Sequence, residues 1–162
     1  MDKINYEKEN WFNHTAQKIY IKNSYDFAIE SVGVFTNITI LIMACDTIIE
    51  KLNDIAQNIN NPKKVELLYN KTTIENSVDI HLHKEDYTIS KIIEYVLYEE
   101  YYKNKTLNYI GCRKHHPHDN HMVLRMGFRH EKDYNEENIK LLIKNSCLVN
   151  INLFKKIKSY FE

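Results

Sequence analysis

Asp79-Ile-His-Leu-His-Lys-Glu-Asp-Tyr-Thr-Ile-Ser-Lys-Ile-Ile93 changes its hydrophobic period part-way along, and that change decides the fold. Before Lys84 the apolar residues alternate: Val78, Ile80 and Leu82 take one face of a strand, and Asp79, His81 and His83 the other. After Asp86, which can cap a helix, the period lengthens. Ile89, Ile92, Ile93, Val96 and Leu97 recur at three- and four-residue steps. A half-buried strand therefore hands over to an amphipathic helix.

Working outward, Val65–Tyr69 and Ile74–His83 read as a hairpin. Leu107–Lys114 and His121–Phe128 read as two further strands, with Met122, Leu124, Met126 and Phe128 on a shared face. Asp133 and Glu136 have capping-box spacing, with Asp in place of the usual Ser or Thr. They open a final helix to about Phe161, with Ile139, Leu142, Ile143, Cys147, Ile151, Phe154 and Ile157 apolar. The order from residue 65 is ββ-α-ββ-α, an α+β domain: an antiparallel sheet with long amphipathic helices gathered on one face.

Upstream, Thr36 can cap a helix whose stripe is Ile38, Leu41, Ile42, Cys45, Ile48, Ile49, Leu52, Ala56 and Ile59. At about 24 residues that helix would be about 36 Å long. Pro62, within Asn58–Lys64, marks a linker and divides the chain into 1–61 and 62–162. Ile19–Ile21 and Tyr25–Val32 read as strands, and Gly33 ends the second. Residues 1–16 are polar and weakly patterned, and read as a loop or a tail ordered by a partner.

The 162 residues suffice for one domain or two small halves with a real core. Twenty-two basic and 22 acidic side chains cancel, so nothing global steers the chain to nucleic acid, and no sequence-specific contact with it is expected. No apolar run reaches the roughly 20 residues of a membrane span, and the N-terminus lacks a signal-peptide core. Three widely spaced cysteines argue for a reducing, intracellular compartment. The wealth of Asn, Ile, Lys and Tyr suggests a low-GC genome, such as a large DNA virus, a cytoplasmic linear plasmid or an A/T-rich protist.

Glu85-Asp86-Tyr87-Thr88-Ile89-Ser90-Lys91-Ile92-Ile93, then Tyr109-Ile-Gly-Cys-Arg-Lys-His-His-Pro117, then Met122-Val-Leu-Arg-Met126, resembles in order and spacing the eleventh subunit of eukaryotic RNA polymerase II and its archaeal L counterpart. The motif His is Tyr87 here, and the motif Gly-Asn pair is Ser90-Lys91. Tyr25-Asp-Phe-Ala-Ile-Glu-Ser-Val-Gly33 followed by a long helix resembles the C-terminal end of the third-largest polymerase II polypeptide and of its archaeal D counterpart. The usual Pro-Pro-Glu is replaced by Thr36-Asn-Ile. Together the resemblances imply a D-like tail fused to an L-like polypeptide, equivalent to the bacterial alpha dimer. A dimer interface carried within one chain meets at high effective concentration.

What the resemblance implies is a non-catalytic assembly subunit of a multisubunit DNA-directed RNA polymerase. It would be a platform for the two large catalytic subunits, which hold the nucleotidyl-transfer chemistry. The remainder of the D-like fold, absent here, is expected from another polypeptide or a longer reading frame. The implied location is host cytoplasm or virion for a viral protein, otherwise nucleus or cytoplasm. The implied partner-binding residues are Ile38, Leu41, Ile42, Cys45, Ile48, Ile49, Leu52, Asp86, Ile89, Ile92, Ile93, Val96, Ile143 and Phe154, with Tyr98, Tyr101 and Tyr102 as a docking rim. The alternative is a stand-alone α+β dimerisation or adaptor module outside a polymerase.

Chemistry of the chain's own is weakly signalled. Three glycines leave little material for a phosphate cradle, and no nucleophile motif is present. Glu85-Asp86 and Glu136-Glu137 fall at helix starts, where caps and the helix dipole account for them. Cys112, His115, His118 and His121, spaced by threes with His116 among them, raise zinc, but three-residue steps alternate faces on a strand. His81 and His83 share a face but have no third ligand placed by sequence. Neither a metal nor any other cofactor is expected, and a small His/Cys metalloprotein is the third reading.

Overall fold

The computed structural model describes residues 2–22, 24–69 and 73–162, in two compact units, 1–32 and 33–162. The helix that follows the D-like motif and the L-like segment 62–162, assigned to different halves from sequence, therefore belong to one unit.

In the first unit, Asp2–Asn10 (α1) is helical and continues through wide and tight helical turns to Lys18, with no buried residue. This replaces the loop expected over 1–16; Met1 lies outside the described residues. Helix is adopted there without an apolar stripe, so periodicity gave no sign of it. Ile19–Ile21 and Tyr25–Val32, expected as strands, form none. Their alternation is real, but a strand needs a hydrogen-bonding neighbour, and among the described residues no sheet includes either segment.

In the second unit, Gly33 turns the chain at φ 94°, a conformation that disfavours a side chain. Asn37–Gln57 (α2) follows. Thr36 caps it, its Oγ1 accepting from the Thr39 N–H at 3.2 Å. The helix ends at Gln57, where Asn58 donates to the Asp54 carbonyl, before Pro62 is reached.

Val65–Leu68 (β1), Ser77–His83 (β2), Leu107–Arg113 (β3) and His121–Phe128 (β4) form one antiparallel sheet in the order β1-β2-β4-β3. Between them Tyr87–Leu97 (α3) is capped by Asp86, which accepts from the Thr88 N–H at 3.0 Å. Glu136–Lys158 (α4) follows the sheet. Its cap is Asn135, not Asp133: the Asn135 side chain accepts from the Asn138 N–H at 2.9 Å. Asp133 ends a tight turn over Glu131–Asp133, which places it a step too early.

Val78, Ile80, Leu82, Met122, Leu124, Met126 and Phe128 line the inner face of the sheet, essentially without solvent exposure. They share one core with Leu52 and Ile55 of α2, Ile89 and Ile93 of α3, and Ile139, Ile143 and Cys147 of α4. Each such side chain contributes about 1.5–3 kcal/mol on burial. The fold is α+β, with its three long helices on one face of a four-stranded antiparallel sheet.

Candidate functional site

Two surfaces could carry function, the helical seam and the opposite sheet face. At the seam, α2 packs chiefly on α4. Its stripe is not buried evenly. Cys45 and Leu52 are buried, Ile48 and Ile49 lie at the core edge, Leu41 and Ile42 are half-buried, and Ile38 is 54% exposed. Lys158, at the end of α4, pairs with Asp46 at 2.7 Å in the third turn of α2. Buried Glu85 lies 3.0 Å from Lys51 and 4.0 Å from Lys64, and Lys64 also pairs with Asp54. That network ties α2 to the β2–α3 turn.

On α3, Ile89, Ile93 and Val96 are buried and Ile92 is half-buried. Asn150 of α4, itself buried, donates to the Ile92 carbonyl at 3.1 Å and fixes α4 on α3. Ile143 is buried, while Phe154 packs at the core edge beside Ile92, Tyr95 and Leu153 around a shallow apolar recess. Asp86 serves as a cap and is exposed. Tyr87, standing at the motif His, accepts from the Lys114 N–H at 3.2 Å and so ties the start of α3 to the end of β3. Tyr101 turns into the core, whereas Tyr98 and Tyr102 stack outside at 5.0 Å.

The other sheet face is largely polar. Asp79 of β2 sits opposite Arg125 of β4, and the pair is bidentate at 2.5 and 2.6 Å. Hydrogen bonding to Arg125 holds the Asp79 carboxyl below its usual range against the opposing effect of burial. The Tyr109 ring lies over Gly111, where a Cβ would come 2.8 Å from the tyrosine oxygen.

Beside the pair lies a histidine cluster. His81 and His121 stack at 4.6 Å between ring centres, His83 and His121 are 5.9 Å apart, and His81 and His115 6.4 Å. His83 Nε2 meets Glu66 Oε2 of β1 at 3.2 Å. Burial, then the neighbouring His121 ring, push the His81 pKa down, favouring the neutral imidazole.

The structure divides the Cys112-His115-His118-His121 set. Cys112 lies against Glu94 and Lys91 of α3, on the helix side, where burial and Glu94 push its thiol up to about 12. His121 faces the other side. A thiol so disfavoured as thiolate is a poor ligand or nucleophile at neutral pH. Among the described residues no group of three or more His, Cys, Asp or Glu side chains stands in position to hold a metal ion.

The cluster escaped sequence reasoning because it depends on register. His83 faces His121 across β2 and β4, residues far apart in the chain. Only the recurrence of His on alternate strand positions hinted at it.

Among the described residues no helix is long and apolar enough to cross a membrane. The chain matches no protein family and no curated protein.

Proposed function

We propose that this chain is a D/L-type assembly subunit of a multisubunit DNA-directed RNA polymerase, with an alpha/L-type dimerisation fold and no catalytic centre of its own. The observation that carries the reading is the packing of α2, the helix following the D-like Phe27–Gly33 motif, against α4 of the L-like part in one core. Such packing is what the resemblance asks of a dimer joined into one chain. The exposed end of α2 and the exposed apolar residues Tyr25, Phe27 and Val32 also suit this role. Large contiguous exposed apolar patches mark interaction sites, whereas singly scattered apolar residues do not. The large subunits would supply the chemistry.

The test is affinity purification of the tagged chain from its native source, with mass spectrometry of what accompanies it. Two very large polymerase subunits are expected. Ile38→Asp, at the exposed end of α2, should deplete them while leaving the melting temperature of the isolated chain unchanged. Recovery of the chain alone, or only with copies of itself, would overturn the reading in favour of a stand-alone adaptor.

A further inference from the structure

We propose that His81, His83 and His121 form a binding site for a divalent transition-metal ion of the zinc class, with His115 closing the fourth position. The inference does not depend on the polymerase reading.

The backbone supplies the first argument. His81 and His83 are alternate residues of β2 and share its outer face, and His121 is the cross-strand partner of His83 on β4. Three imidazoles are thus held on two hydrogen-bonded strands, with no loop needed to gather them. His115, from the β3–β4 connection, reaches the same patch.

Spacing supplies the second. Ring nitrogens about 2.0–2.1 Å from a tetrahedral zinc ion set neighbouring ring centres about 5 Å apart. The observed separations are 4.6 Å for His81–His121, 5.9 Å for His83–His121 and 6.3 Å for His81–His83. The rings do not yet converge, since His81 and His121 lie nearly parallel, 16° apart. Turning a ring about its terminal torsion leaves its centre in place, so drawing the three rings to the ion also requires a change at the first side-chain torsion of at least one histidine.

Glu66 supplies the third. Its carboxylate engages Nε2 of His83, leaving Nδ1 for an ion. A carboxylate on the far nitrogen is the usual means of orienting a metal-bound histidine and raising its basicity. Imidazole donors suit zinc, copper and nickel better than magnesium or calcium. The three rings are only half-buried, so an ion can enter from solvent.

The test is calorimetric titration of the chelator-treated full chain with Zn2+ at pH 7.5, paired with Co2+ absorption spectroscopy. One equivalent should bind with a dissociation constant of about 1 μM or tighter. Co2+ should develop the intense visible bands of a tetrahedral nitrogen site. His81→Ala and His121→Ala should each weaken binding about tenfold or more, and Glu66→Gln about tenfold. His116→Ala combined with His118→Ala, outside the cluster, should leave affinity unchanged. Absence of the Co2+ bands in the unaltered chain would overturn the proposal whatever the variants do. Undiminished affinity in His81→Ala, or its loss in the His116/His118 variant, would overturn it equally.

Discussion

Tyr25–Val32 and Ser77–His83 carry the same alternation of apolar and polar residues, yet only the second becomes a strand. In Ser77–His83 the inward residues Val78, Ile80 and Leu82 are almost fully buried, and the backbone is paired on both sides, to β1 and to β4. In Tyr25–Val32 the alternate residues Tyr25 and Phe27 are exposed, and Val32 is 97% exposed. Alternation specifies which way side chains face once a strand exists. It does not supply the neighbour that makes the strand.

The sharpest way to break the comparison is to place a charge in each segment. Ile80→Asp buries a carboxylate without a partner and should cost at least about 3–5 kcal/mol, unfolding the second unit in a urea titration. Phe27→Asp, in the segment that forms no strand, should move the same transition by no more than about 0.5 kcal/mol. A large effect of Phe27→Asp on the isolated chain would show that the two segments are more alike than their exposure indicates.

Intermediate effects sharpen it further. The Asp79 carboxyl is held below its unfolded value by Arg125, so its contribution is fully present above about pH 4 and is lost as pH falls through the folded value. Stability should therefore decline on acidification below about pH 4, by about 1–3 kcal/mol from this group. Asp79→Asn should flatten that limb, and urea midpoints measured across pH 2–6 check it (roughly the carboxylate range). Smaller again, Asn135→Ala removes the cap of α4 and should cost about 1 kcal/mol, whereas Asp133→Ala should cost less. Thermal melts of the two variants decide between the residues.

Local signals were legible wherever neighbouring residues decide structure. Thr36 and Asp86 cap the helices they were expected to cap, and the apolar stripes of α2, α3 and α4 reach a shared core. Asp133 misled because its spacing to Glu136 satisfies a capping rule, while the tight turn before it displaces the cap to Asn135. α1 left no trace in periodicity because it buries nothing. The sheet order and the histidine cluster were illegible for another reason: both depend on which strands meet, and at what offset. Of the candidate residues, burial of Ile93 and Leu52 follows from their stripes, but the exposure of Ile38 depends on where α4 ends.

Asp79 and Arg125 also settle something the apolar pattern leaves open. Sliding β2 by two residues against β4 would keep every inward side chain inward, so Val78, Ile80 and Leu82 could not detect the error. In the observed alignment Asp79 faces Arg125; slid by two, it would face Val123 or Gly127. A nearly buried carboxylate would then lose its counter-ion. The pair thus acts as a proofreading mark, rejecting misalignments that hydrophobicity alone would accept.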